Sequence, residues 1–155
     1  MTKMTAPLEV GLAVRDLPRM RAFYEVAIGL SFVSEIEVPG PKAAEVALSA
    51  GGYVVVRLQT EKGERIKLLC PDRLPDTRSE GGLILERPGS SYLTFIVDDL
   101  QALLDRMIAY GAESMTGPKA IEVRPGTWLA FVTDPEGHIV EIVQYDDLDG
   151  YRRDL

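Results

Sequence analysis

One histidine, His138, and one cysteine, Cys70, are all that the chain holds of the two residue types most often used as nucleophile partners and soft metal ligands. A Ser-His-Asp triad or a multi-histidine metal site must therefore pass through His138 or not exist. His138 directly follows the turn Asp134-Pro135-Glu136-Gly137 and reads as structural. Cys70 precedes Pro71 at the expected end of a strand; without a second cysteine or a Cys/His cluster it builds no disulfide and no zinc site, and it reads as an inert, half-buried thiol. Three other side chains carry usable chemistry. Arg57, in the apolar run Tyr53 to Gln59, either holds a substrate carboxylate or phosphate through a bidentate contact or pairs with an acid at the core edge. Arg124, in Arg124-Pro125-Gly126, either reaches a ligand from a loop tip or is simply solvated. Trp128, the sole tryptophan, either walls a pocket or takes a core or dimer contact.

The elements that position these residues belong to a chain of 155 residues, 46% hydrophobic and 26% charged, the composition of one globular domain or two very small ones sharing a core. Seventeen Lys and Arg against 24 Asp and Glu give a net charge of −7, and no basic cluster of the kind a phosphate backbone requires is present, so nucleic acid is not an expected partner. No apolar run approaches the ~20 residues of a bilayer span. The N-terminus lacks the apolar segment of a signal peptide, and a soluble, cytoplasmic protein is expected.

Comparison of the two halves reveals a repeat. Leu8 to Leu17 (LEVGLAVRDL) and Ser91 to Leu100 (SYLTFIVDDL) share Val14, Asp16 and Leu17 with Val97, Asp99 and Leu100 at a constant spacing. Each copy reads as an alternating strand followed by an Asp placed to cap a helix. Leu17, Met20, Tyr24, Ala27 and Ile28 form one helical face before Gly29, and Leu100, Leu103, Leu104, Met107 and Ile108 form the other before Gly111. Strands are expected over Leu30 to Val38, Ala43 to Ala50, Tyr53 to Gln59 and Arg65 to Cys70, with a hairpin-like stretch near Pro39-Gly40-Pro41. In the second half they are expected over Ala112 to Met115, Ala120 to Val123, Thr127 to Thr133 and His138 to Gln144. Residues 7–71 and 91–145 thus form two β-α-β-β-β modules. A proline- and acid-bearing linker or lid covers 72–90, and a polar tail 146–155 either docks as a short helix or stays loose.

These features resemble the vicinal oxygen chelate superfamily, the group of glyoxalase I, bleomycin-resistance proteins and extradiol dioxygenases. The resemblance rests on Val10-Gly11-Leu12-Ala13-Val14-Arg15-Asp16-Leu17 with Phe23-Tyr24 and Ile28-Gly29-Leu30. It rests equally on Phe95-Ile96-Val97-Asp98-Asp99-Leu100, and on Phe131-Val132-Thr133-Asp134-Pro135-Glu136-Gly137-His138-Ile139-Val140-Glu141-Ile142. It implies an α+β fold of two tandem βαβββ modules whose sheets curl into a half-open barrel, a cup that holds metal and substrate, often in a homodimer.

The resemblance also places metal-ligand positions on the first and last strands of each module, here Glu9, Lys67, Tyr92 and Glu141. Only the two glutamates are ordinary ligands for a divalent ion, since a protonated lysine has no lone pair and a neutral phenol is a poor donor. Strand parity puts the same residues together on one face: Val10, Leu12 and Val14 pack under the helix while Glu9, Gly11 and Ala13 face away. Tyr92, Thr94 and Ile96, Lys67, and Glu141 likewise lie opposite the helix. The expectation is that the Lys67 ammonium takes the electrostatic role of the ion, neutralising Glu9 and Glu141, while Tyr92 donates a hydrogen bond to the cluster or to a substrate carbonyl. Two alternatives stand beside it. The four residues either form an inert hydrogen-bonded cluster, or Glu9 and Glu141 hold a metal with Lys67 turned aside, an arrangement the nearby ammonium opposes.

The expected function is proton transfer on a carbonyl- or enol-bearing metabolite, as an isomerase, epimerase or lyase performs it, with no cofactor and with a divalent metal disfavoured. Glu9 or Glu141 would move the proton, and Lys67 and Tyr92 would stabilise a developing enolate. A different class of function is metal-free sequestration of an aromatic or antibiotic-like ligand, for which 7% aromatic residues provide modest material. An extradiol dioxygenase would need two histidines and one carboxylate, which a single histidine cannot supply.

Overall fold

The computed structural model describes residues 2–74, 83–86 and 89–155. The chain divides into two compact units, Met1–Thr77 and Arg78–Leu155, built on one plan. In the first, β1 (Glu9–Ala13) leads into α1 (Leu17–Ala22), which continues as a π-helical segment over Phe23–Ile28. Then come β2 (Ser31–Val38), α2 (Gly40–Glu45), β3 (Tyr53–Gln59) and β4 (Arg65–Pro71). In the second, a 3-10 turn at Ile84–Glu86 precedes β5 (Tyr92–Ile96), α3 (Leu100–Ala109), β6 (Glu113–Ser114), β7 (Ile121–Arg124), β8 (Thr127–Thr133), β9 (Ile139–Tyr145) and α4 (Leu148–Tyr151). The fold is α+β, a tandem of βαβββ units.

The repeated residues account for the repeated geometry. Asp16 Oδ1 accepts the Arg19 N–H at 3.0 Å, and Asp99 Oδ1 accepts the Ala102 N–H at 3.1 Å, so each helix starts where a carboxylate satisfies an otherwise free amide. The first helix ends at Gly29, whose φ of 97° is costly for any side-chain-bearing residue. In both sheets the first strand lies parallel to the last: the orders are β1-β4-β3-β2 and β5-β9-β8-β6, with β7 also paired to β8. Val14 N–H reaches Leu69 O, and Val97 N–H reaches Val143 O, each at 2.9 Å.

One face of each sheet is covered by its helix. Met20, Phe23, Tyr24 and Ala27 are buried with Val56, Leu58, Ile66 and Leu68; Leu100, Leu103, Leu104 and Met107 are buried with Ala130, Val132, Val140 and Ile142. Each such side chain contributes roughly 1.5–3 kcal/mol by leaving water. Phe23 joins the first core through the π-helical winding and meets Tyr24 edge to face, with centroids 5.1 Å apart.

Two expectations about strands need correction. The strand over Ala43 to Ala50 is absent, because Gly40–Glu45 is helical: Pro39 stands at its N-cap, Pro41 in its first turn, where a proline's fixed φ and missing N–H suit a helix start, and Ala43 is buried. The strand over Ala112 to Met115 shrinks to Glu113–Ser114. The tail docks through α4, with Tyr151 stacked on Tyr145 at a centroid distance of 3.9 Å. Of the linker or lid expected over 72–90, residues 75–82 and 87–88, which include Pro75, Asp76, Glu80 and Pro88, lie outside the described residues. Among the described residues no helix is long and apolar enough to cross a membrane.

Candidate functional site

The face of the N-terminal sheet away from α1 is organised as rows that run across its strands. Register pairs Ser31 with Gln59, Gln59 with Arg65 and Arg65 with Glu9. Arg65 Nε donates to Gln59 Oε1 at 2.7 Å, and its guanidinium lies 3.7 Å from Glu9. The cation paired with Glu9 in this unit is therefore Arg65, one row along the same face from the Lys67 that sequence reasoning favoured. The signal for it was parity: Arg65 lies two residues from Lys67 and shares its face.

The next row is Ser34, Arg57, Lys67 and Gly11, again in direct register across all four strands. Arg57 thus lies on the Lys67 face, which settles the side its apolar strand left open. Neither Arg57 nor Lys67 has an ion-pair partner among the described residues of this unit. A Cβ at Gly11 would stand 3.0 Å from Leu69 Cδ1 and 3.9 Å from Lys67 Cε, so the bare glycine is what lets the lysine stem lie over β1. A third row, Ile36, Val55, Leu69 and Ala13, is apolar.

In the C-terminal unit the face away from α3 carries Tyr92, Thr94 and Ile96 from β5, Glu141 and Tyr145 from β9, and Phe131 from β8. Thr94 and Phe131 flank Glu141 on either side in register. The Thr94 hydroxyl donates to Glu141 Oε1 at 3.0 Å, and no cation of this unit pairs with that carboxylate among the described residues. Tyr92 is 45% exposed and sits edge to face on Phe131, with centroids 5.1 Å apart. Strand parity placed Thr94 on this face without giving it a role, and Phe131 was missed, although the same parity selects it.

At the end of β7 Arg124 is held in register with Thr127, and its Nε donates to Thr127 Oγ1 at 3.2 Å, so it is more than a solvated loop tip. Near it, burial pushes the Tyr145 phenol up to about 12, aided by Tyr151 and Glu141 and opposed by the Arg124 charge. Trp128 lies on the opposite face of its sheet from Glu141. It shares the parity of Ala130 and Val132 and lines a separate cavity of about 330 Å³ with Leu100, Gln101, Lys119 and Gln144, on the helix side of the sheet. His138 Nδ1 lies 2.8 Å from Asp134 Oδ2, and Asp134 Oδ1 accepts the N–H groups of Glu136 and His138, which ties the histidine into the turn. Cys70 Sγ lies 3.6 Å from the Arg15 carbonyl.

The donor set does not fit the divalent ion that the resemblance implies. Glu9 is engaged by Arg65, an ammonium stands on the same face at the neighbouring row, and among the described residues no three His, Cys, Asp or Glu side chains group as ligands. What the two faces do offer is a carboxylate with free lone pairs, a phenol, and two cations without acids beside them.

A family model described as the Glyoxalase/Bleomycin resistance protein/Dioxygenase superfamily matches residues 7–142. Among solved structures, a glyoxalase family protein from Bacillus cereus aligns with a TM-score of 0.78 at 19% identity, covering 93% of this chain and 96% of that one. A trypanothione-dependent glyoxalase I from Leishmania major aligns with a TM-score of 0.68 at 18% identity, covering 97% and 94%. Glyoxalase I from Zea mays gives 0.64 at 19% identity over 90% of this chain but 44% of its own, so this chain spans less than half of the maize protein. No curated protein matches the sequence. At these identities the structural likenesses speak for the fold alone, whereas the family model spans most of the sequence. The chain belongs to the Glyoxalase/Bleomycin resistance protein/Dioxygenase superfamily.

Proposed function

We propose that the protein is a small-molecule isomerase, epimerase or lyase that moves a proton on a carbonyl- or enol-bearing metabolite, with Glu141 as the proton carrier. The observation that carries this reading is the setting of Glu141: one hydrogen bond from Thr94, a ring on its other side, and no cation of its own unit. Glu9, by contrast, is held by Arg65 and is the weaker candidate. The reading takes Tyr92 and Glu141, which share a face of the C-terminal sheet, as its site.

In the reaction, a Glu141 carboxylate oxygen takes the proton from the carbon next to the carbonyl. The C–H pair becomes the enolate double bond, and the carbonyl π pair moves onto oxygen, where Tyr92 donates. Protonation of that carbon by water on its opposite face completes an epimerisation; in a 2-hydroxycarbonyl substrate, return of the proton to the former carbonyl carbon, with the hydroxyl proton passing to the enolate oxygen, completes an isomerisation; expulsion of a β-substituent completes an elimination. Positioned general bases of this kind are worth about 10²–10⁴ in rate.

The test is deuterium uptake from D2O by a panel of 2-oxo and 2-hydroxycarbonyl acids, followed by proton NMR. Exchange catalysed by the native protein and lost in Glu141→Gln supports the reading; exchange undiminished in a folded Glu141→Gln protein refutes it. The Tyr92–Phe131 pair favours a second reading, capture of an aromatic ligand, which predicts saturable binding without exchange. We take the working form to be a cytoplasmic homodimer, and light scattering of the purified protein tests the dimer.

A further inference from the structure

The N-terminal sheet holds two half-buried cations directly opposite one another, Arg57 and Lys67, with no acid paired to either among the described residues of the unit. Like charges in register oppose folding, and a chain with a net charge of −7 has acids in plenty to place there. It does not do so. The acids of β2 face the other way: Glu35 shares a face with Val56, and it lies 3.9 Å from Arg21 of α1. The neighbouring row shows what a neutralised cation looks like here, since Arg65 is satisfied by both Glu9 and Gln59.

We propose that the row Ser34, Arg57, Lys67 and Gly11 is the binding site for an oxyanion, a carboxylate or a phosphate, on a ligand whose apolar body lies along Ile36 and Leu69 in the adjacent row. Arg57 supplies a planar fork of donors, Lys67 a point charge, and Ser34 a hydroxyl beside the fork. Gly11 leaves the end of the row clear of any side chain. Resting on the proton-transfer reading above, the inference names its substrate class: an amphiphilic anion, held by its charged end on the N-terminal unit.

Isothermal titration calorimetry of the whole chain with octanoate, octyl phosphate and octanol tests it. Both anions should bind and octanol at least tenfold more weakly. The tighter of the two anions identifies carboxylate or phosphate as the recognised group. Arg57→Gln and Lys67→Gln should each weaken anion binding about tenfold or more, and Lys67→Arg should restore most of it. Equal affinity for octanol and the anions, or anion binding indifferent to both charge removals in folded protein, overturns the proposal. Anion binding is read by calorimetry and proton transfer by deuterium exchange, so loss of the proton-transfer reading and loss of the anion site give different results.

Discussion

Asp134→Ala tests how the Asp-Pro-Glu-Gly turn holds the last strand in place. Asp134 is 2% exposed; its Oδ1 accepts the Glu136 and His138 N–H groups at 2.9 and 3.0 Å, and its Oδ2 lies 2.8 Å from His138 Nδ1. The main chain closes the same turn through Asp134 N–H to His138 O at 2.8 Å, so β8 and β9 begin their pairing from a carboxylate-filled loop. A hydrogen bond to a charged group is worth about 1.5–3 kcal/mol. Taking the low end for the two backbone donors that alanine would strand gives a loss of about 3 kcal/mol. In a domain of this size that corresponds to a Tm lower by roughly 6–12 °C. Urea unfolding followed by circular dichroism at pH 7 should show the midpoint falling with an unchanged m-value. Asp134→Asn keeps a carbonyl oxygen for both N–H groups and loses only the charge and the histidine contact, so it should cost about 1 kcal/mol. If alanine costs no more than asparagine, the carboxylate is not what holds the turn.

Tyr145, pushed from 10.0 to about 12, stays neutral in the folded chain after the unfolded chain has ionised. Below pH 10 its ionisation does not affect stability; between 10 and 12 the unfolded state alone loses the proton, and stability falls as pH rises. In an ultraviolet titration Tyr145→Phe should remove a step near pH 12, and Tyr151→Ala should bring that step down. Asp99→Ala removes the cap of α3 and should cost about 1 kcal/mol in urea unfolding, a loss that Asp99→Ser largely avoids. Gly11→Val places a branched side chain against Leu69 Cδ1 and the Lys67 stem; it should weaken octanoate binding in calorimetry while leaving every charge in place.

The features legible in the sequence are those set within a few residues. Asp16 and Asp99 announce helix starts because a capping carboxylate acts three residues ahead, and both caps are formed. Alternation separates Val10 and Leu12 from Glu9 and Gly11 because a strand has a period of two. That same rule puts Trp128 with Ala130 and Val132, and it adds Phe131 to the face of Glu141. Residues 43–50 misled because small and apolar residues in that order suit either a strand or a helix, and Pro39 and Pro41 decide the matter only through their positions at a helix start. The pairing of Glu9 with Arg65 was out of reach, since it depends on the register between β1 and β4, strands far apart in the chain. Arg57 could be placed on a strand but not on a face, because its strand is apolar on both sides.

The parallel junction of β1 with β4 has a consequence for how the polypeptide is made. As the chain leaves the ribosome, β1 emerges first and finds no neighbour, because β2 and β3 take places farther along the sheet and β4 comes last. The opening strand must therefore stay soluble through most of the unit's synthesis. The carboxylate of Glu9 and the bareness of Gly11 and Ala13 serve that interval, keeping an unpaired segment from recruiting another nascent chain.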